Sequence, residues 1–158
     1  MEKNRAIQPA QAISLSEELQ RGDIIFVNKG LYKHFGIYAG NGTVVHYSDK
    51  SSNFGLDIKV QEASLADFAD GFEVKVCRLD PKKYTLYSAD ETIKRAYSRL
   101  GEKKYNLIFN NCEHFAVWCK TGISDSAQVH QAVTAAVVIS IGAIAVGILK
   151  LLNRDEEL

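Results

Sequence analysis

A short run of glycine and asparagine, Gly40-Asn41-Gly42, constrains the fold of this chain more than any other feature. It separates two segments of strand-like composition, residues 35–38 (FGIY) and 43–47 (TVVHY). Glycine and asparagine tolerate the backbone angles that a tight hairpin turn requires. The sequence therefore predicts that the two segments pair as an antiparallel hairpin.

Further strands and helices are predicted on both sides of this hairpin. Strands are expected at residues 23–27 (DIIFV), 58–60 and 72–79 (FEVKVCRL), the last from its apolar–polar alternation. A short helix is expected at residues 64–68. A longer one is expected up to residue 100, with Ser88 as its N-cap and Gly101 at its end. Asn110 or Asn111 is predicted to cap the next helix, which ends at Gly122.

The C-terminal segment differs in composition from the rest of the chain. Residues 132–149 (AVTAAVVISIGAIAVGIL) are 18 residues without a charge, and as a helix they would span about 27 Å. That length is close to the hydrocarbon core of a bilayer, about 30 Å. The sequence predicts a hydrophobic membrane-anchor helix over 132–152, with a buried core helix as the alternative. Its recurring small residues also permit weak self-association.

The chain is therefore divided into five parts. These are a polar leader (1–20), one domain (21–124), a linker (125–131), the anchor helix (132–152) and a charged tail (153–158). The N-terminus lacks a secretory pattern, so the domain is expected to be cytoplasmic and anchored to a membrane. The 19 basic and 19 acidic residues balance, which argues against a nucleic-acid partner. Three cysteines suggest no disulfide framework.

The segment Asn110-Asn111-Cys112-Glu113-His114 offers a candidate nucleophile. At a helix start, free backbone N–H groups and the helix dipole lower the pKa of a thiol, and the thiolate is the reactive form. A thiol nucleophile also needs a base, which a third group usually orients. The chain has four histidines.

Two of the four histidines, His34 and His46, lie twelve residues apart on the predicted hairpin, which would bring their imidazoles together. One imidazole could take the proton of Cys112 while the second imidazole orients the first. Structural roles are the alternative, because buried cysteines are usually inert. A zinc site from His34, His46, Cys112 and His114 is a further alternative, although no CxxC pair is present. His114 is interpreted as structural, and His130 is given no role.

With these motifs in view, the chain resembles the lecithin–retinol acyltransferase family, which includes the HRAS-like suppressor phospholipase/acyltransferases. The resemblance lies in YKHFGIYAGNGTVVHY, NNCEHF and the opening GDII, within residues 22–122. The segment LGEKKYNLIFNNCEHFAVWCKTG is most similar to bacterial and plant-type members. The resemblance implies an α+β, circularly permuted papain-like (NlpC-type) fold, in which an antiparallel sheet packs on helices.

The resemblance also implies a function for the site. Cys112 would be the nucleophile, His34 the general base and acid, and His46 the orienting third member, with the Cys112 backbone N–H as an oxyanion donor. An acyl chain would pass from a phospholipid to a Cys112 thioester, and then to water or to an amine or alcohol acceptor. No metal and no organic cofactor is implied. The alternatives are a cysteine amidase or peptidase of the NlpC-type superfamily and a non-catalytic, membrane-tethered binding module.

Overall fold

A computed structural model of the chain describes residues 19–48, 57–103 and 108–141. The described residues form six strands and four helices, which is an α+β arrangement. The strands are β1 (Ile24–Asn28), β2 (Lys33–Gly40), β3 (Thr43–Ser48), β4 (Lys59–Ser64), β5 (Val74–Arg78) and β6 (Val137–Ser140). The helices are α1 (Leu65–Ala69), α2 (Ala89–Ser98), α3 (Ile108–Thr121) and α4 (Ser126–Thr134).

The strands form one antiparallel sheet in the order β4-β3-β2-β1-β5-β6. The predicted hairpin is confirmed, since β2 and β3 pair with Ile37 opposite Val45. Its turn uses positive φ angles at Asn41 (50°) and Gly42 (72°), the conformations for which these residue types are suited. Neither strand of the hairpin lies at an edge of the sheet.

The two faces of the sheet bury different elements, because successive strand residues point to opposite sides. On one face, α3 packs on β2 and β3, and α2 and α4 pack against α3. This α3 face contains Phe35, Tyr47 and Phe115 in its core. The opposite face, called the α1 face, buries Val44 and Phe68 beneath the short helix α1.

Helix α2 is held against α3 by contacts with Trp118. The guanidinium carbons of Arg95 and Arg99 lie 3.9 and 3.4 Å from the centre of the indole ring, as in a cation–π contact. Arg95 also donates hydrogen bonds to the Trp118 carbonyl at 3.1 and 3.3 Å. The predicted N-cap of α2 is confirmed, since the Ser88 hydroxyl accepts from the backbone N–H of Glu91.

Two predicted boundaries near α3 are wrong. The helix begins at Ile108, so neither Asn110 nor Asn111 caps it, and Cys112 lies one turn inside. Asparagine costs only several tenths of a kcal/mol within a helix, so it does not fix where a packed helix begins. The linker predicted over 125–131 is mostly α4, whose N-cap Asp125 accepts from the backbone N–H of Gln128 at 3.0 Å.

The predicted anchor helix over 132–152 does not run through its described part, residues 132–141. Residues 132–134 end α4, and 137–140 form β6, which pairs along β5 with Val138 opposite Cys77. Val137, Val138 and Ile139 are β-branched residues, which suit a strand that covers an open sheet edge. No helix in the described ranges combines the length and apolar character needed to cross a bilayer. The described residues give no support to the self-association predicted through that helix.

The other terminal predictions fall outside the described residues. They are most of the polar leader, the remainder of the predicted anchor beyond residue 141, and the charged tail.

Candidate active site

Two buried histidines form the centre of the candidate site. His46 on β3 stands opposite Gly36 on β2, and His34 lies two residues before Gly36 on the same face of the strand. His34 Nε2 and His46 Nδ1 are 2.7 Å apart, and both side chains are buried. The predicted proximity of the two imidazoles is therefore confirmed, and they lie on the α1 face.

Phe68 and Gly36 hold the histidine pair in place. The Phe68 ring of α1 lies 5.2 Å from the His34 ring and 5.3 Å from the His46 ring, between centroids. A Cβ at Gly36 would approach Val44 Cγ1 to 2.7 Å and the Phe68 ring to 3.0 Å, so only glycine allows this packing. Sequence reasoning missed both residues, although a glycine within an apolar strand often marks such a close approach.

Cys112 reaches the same end of the sheet from the α3 face. Its side chain is fully buried, and its thiol donates to the Lys33 carbonyl with Sγ and the oxygen 3.7 Å apart. Lys33 directly precedes His34, so the thiol lies beside the histidine backbone. Cys112 and His34 therefore meet near one strand end although they belong to different layers.

The backbone of β2 explains why a thiol fits there. Tyr38 exchanges hydrogen bonds with Asp23 and Gly22, so even-numbered β2 residues turn their backbone groups toward β1. Lys33 and Phe35 therefore turn theirs toward β3. The β2–β3 ladder begins only at Gly36, which leaves a gap in the sheet before it. The Cys112 sulfur lies at this gap.

Burial sets the protonation of both groups. It raises the pKa of the Cys112 thiol, and the backbone N–H groups of Phe35 and Glu113 oppose that rise only in part. Burial, with a smaller effect of the nearby Lys29 charge, lowers the pKa of His34 to about 4. The prediction of a lowered thiol pKa is thus wrong for this closed site, because the raised pKa of Cys112 and the lowered pKa of His34 leave both groups neutral near pH 7.

The two nitrogens of His34 have different surroundings. Nε2 is occupied by His46, whereas Nδ1 is buried and has no hydrogen-bond partner among the residues that the structure describes. Buried polar atoms are nearly always paired, and exceptions often mark catalytic groups. His34 therefore has one anchored nitrogen and one that can exchange a proton.

The remaining predicted site residues lie elsewhere. His114 lines a cavity of about 110 Å³ with Tyr47 and Trp118, and His130 is exposed on α4. In the described ranges, no three His, Cys, Asp or Glu side chains are placed to hold a metal ion. Cys119, the other thiol of α3, is also buried, which raises its pKa to about 12.

The family model described as Lecithin retinol acyltransferase matches residues 17–125, and the chain belongs to this family.

Three relatives show how far the similarity extends. Lecithin retinol acyltransferase of Mus musculus is 33% identical over 132 residues, covering 68% of this chain and 57% of the relative. Phospholipase A and acyltransferase 3 of Mus musculus is 29% identical over 153 residues, covering 89% and 94%. Phospholipase A and acyltransferase 2 of Homo sapiens is 32% identical over 125 residues, covering 72% and 77%. The chain thus spans little more than half of the first relative and most of the other two.

Proposed function

We propose that this protein is a thiol acyltransferase and phospholipase, which takes an acyl chain from a phospholipid and passes it to water, an amine or an alcohol. The observation that carries the proposal is the 2.7 Å contact between His34 and His46. It lies beside the Lys33 carbonyl, which accepts a hydrogen bond from the Cys112 thiol. The substrate class comes from the relatives, which are named for lecithin and retinol or for phospholipase A and acyl transfer. A circularly permuted papain-like topology is part of this proposal.

His34 moves the protons in this mechanism. In the reactive tautomer His34 donates its Nε2–H to His46 Nδ1, which leaves Nδ1 of His34 as the base. The His34 ring lies on the α1 face and the Cys112 thiol on the α3 face, so the strand end before Gly36 must first move to bring them together. Nδ1 then takes the proton of the Cys112 thiol, and the thiolate attacks the ester carbonyl of the phospholipid. The ester C–O bond breaks, and the leaving lysophospholipid oxygen receives the proton from His34. The acyl chain is then a thioester on Cys112.

Acyl transfer completes the cycle with the same groups. Nδ1 of His34 takes a proton from the acceptor, whose oxygen or nitrogen attacks the thioester carbonyl. The C–S bond then breaks, and the leaving Cys112 sulfur receives the proton from His34. His46 orients the ring and stabilises its charged form. The backbone N–H groups of Phe35 and Cys112 both face the sulfur, and we assign stabilisation of the oxyanion to them.

The site must open before a substrate can enter. Cys112 has no exposed surface and His34 is only 6% exposed, so an ester carbonyl cannot reach the sulfur in this conformation. Turnover therefore includes an opening step at this end of the sheet. Opening also hydrates the thiol and removes the largest cause of its raised pKa.

Intact-mass measurement after incubation with phosphatidylcholine vesicles tests the proposal. An acyl adduct is expected on the wild-type protein and on Cys119→Ser, and its loss is expected in Cys112→Ser. Cys119 is the matched control because it is an equally buried thiol of the same helix. An adduct that persists in Cys112→Ser would contradict the mechanism. Cleavage of a peptide amide without any acyl adduct would instead indicate the amidase alternative.

A further inference from the structure

We propose that the turn between β1 and β2, residues 29–32, together with Lys33 at the start of β2, docks on a phospholipid bilayer surface with Leu31 inserted into it. The inference rests on the proposed function, because it describes how that site meets lipid.

Leu31 is held outward by the hydrogen bonds of the turn. Its side chain is 96% exposed. The Gly30 N–H donates to the Asn28 side chain at 3.0 Å, and the Lys29 N–H donates to the Tyr32 carbonyl at 2.9 Å. A single exposed leucine needs no explanation by itself. This one is fixed at the tip of a tight turn, where its whole side chain can enter another medium.

Lysines flank the tip on both faces of the sheet. On the α1 face, the Lys29 ammonium lies 5.8 Å from the centre of the Phe72 ring, which is 40% exposed. On the α3 face, the Lys33 ammonium lies 5.4 Å from the Phe26 ring centre. Apolar tips between lysines suit a bilayer interface, where the apolar groups enter the acyl boundary and the ammonium groups meet phosphates.

Charged residues near the turn determine how strongly docking depends on anionic lipid. Asp70 lies 3.5 Å from the Lys29 ammonium and offsets part of its charge. The Glu113 carboxylate likewise interacts with the charge of Lys33. Insertion of Leu31 is therefore the larger contribution to docking, and attraction of the two lysines to the surface adds to it. Added anionic lipid is therefore expected to strengthen docking without being required for it.

The turn is continuous with the candidate site. The Tyr32 ring meets the His34 ring edge-on, with centroids 6.4 Å apart, and the Lys33 carbonyl accepts the Cys112 thiol. Docking through Leu31 therefore brings the gap between β2 and β3 to the lipid surface. Val137, a 65% exposed apolar residue, pairs with Arg78 at the other end of the sheet and provides a matched control.

A fluorescent probe tests the docking without any chemistry. Leu31→Cys or Val137→Cys is made in the full chain with Cys112→Ala and labelled with nitrobenzoxadiazole, while the buried Cys77 and Cys119 stay unlabelled. Vesicles of phosphatidylcholine, alone or with phosphatidylglycerol, are then added. Emission from position 31 is expected to shift to the blue and rise severalfold, with position 137 unchanged. An unchanged probe at position 31, or equal shifts at both positions, would overturn the proposal.

Activity measurements separate docking from catalysis. Leu31→Glu is expected to lower turnover of vesicle phosphatidylcholine about tenfold, since burial of one leucine is lost. Turnover of a monomeric short-chain phosphatidylcholine should be unchanged, and Val137→Glu should resemble wild type on both. Equal vesicle turnover by Leu31→Glu and wild type would contradict the docking. If the wild type acts on neither lipid, the proposed function fails, while the probe still answers the docking question.

Discussion

The two faces of the sheet contribute to the candidate site in different ways. On the α1 face, the histidine pair lies on two strands joined by one tight turn, and the strand register alone brings His34 and His46 together. On the α3 face, Cys112 lies far along the chain and is placed by packing of α3 on β2 and β3. One half of the site is thus local in sequence, and the other depends on the assembled core.

Different parts of the sheet therefore set the spacing of the two histidines and the position of the thiol. The histidine pair keeps its spacing as long as the hairpin forms. The position of the Cys112 sulfur depends on the gap before Gly36, where Lys33 and Phe35 turn their backbone groups toward it. Substitutions around the histidine pair on the α1 face should therefore change proton transfer, whereas comparable ones in the α3-face core that spare Cys112 should change stability alone.

The largest effect is expected from His34→Gln. Loss of the base should slow formation of the Cys112 acyl adduct roughly 10²- to 10⁴-fold, while glutamine keeps much of the side-chain volume. His130→Gln is the control because His130 is exposed on α4, and it should leave the rate unchanged. Rapid-quench mass spectrometry of the adduct gives both rates. Equal rates for His34→Gln and wild type would remove His34 from the proton transfer.

The next effect is a loss of stability in acid. The pKa of His34 is lowered to about 4 from 6.5, so the unfolded state binds more protons between these values. The free energy of unfolding should therefore fall as the pH falls from 6.5 to 4, by roughly 3 kcal/mol. Urea unfolding at several pH values should show this fall in wild type and a smaller one in His34→Gln. An identical fall in both proteins would mean that another group is responsible.

Local patterns predicted most of the sheet and both histidines. The Gly40–Gly42 turn set the hairpin, and Ser88 correctly marked the start of α2. Charge-free composition predicted the wrong structure for residues 137–140, because a run of β-branched residues becomes a strand when a sheet edge is open to it. The Asp125 cap with Gln128 was a usable signal for α4, but it was missed. The burial of Cys112 was beyond sequence reasoning, since it depends on contacts between distant segments.

A third effect, on packing, is expected from Gly36→Ala. Its new methyl group would lie 2.7 Å from Val44 Cγ1 and 3.2 Å from the His46 Cβ. Overpacking of this kind costs about 1–3 kcal/mol, so the urea midpoint should fall. The displaced His46 should also slow adduct formation at a fixed temperature below the transition. A stable protein with normal kinetics would show that β2 and β3 can separate without cost.

The smallest effect compares the two faces directly. Phe68 and Phe115 are each 1% exposed, but Phe68 contacts both imidazoles whereas Phe115 contacts Tyr47. Replacing either with leucine should lower the free energy of unfolding by about 1 kcal/mol. Only Phe68→Leu should also shift the pH dependence of adduct formation. Similar pH profiles for both variants would contradict a separate role for the α1 face.

The contact between Trp118 and two guanidinium groups gives the α3 face an optical signal of its own. Trp118 is the one tryptophan of the chain, and Arg95 and Arg99 lie within 4 Å of its ring centre. Its emission therefore reports separation of α2 from α3, without any label and with no direct contribution from the histidine pair. Kinetic traces of this emission, recorded beside adduct formation, show whether the helical layer moves when the site opens.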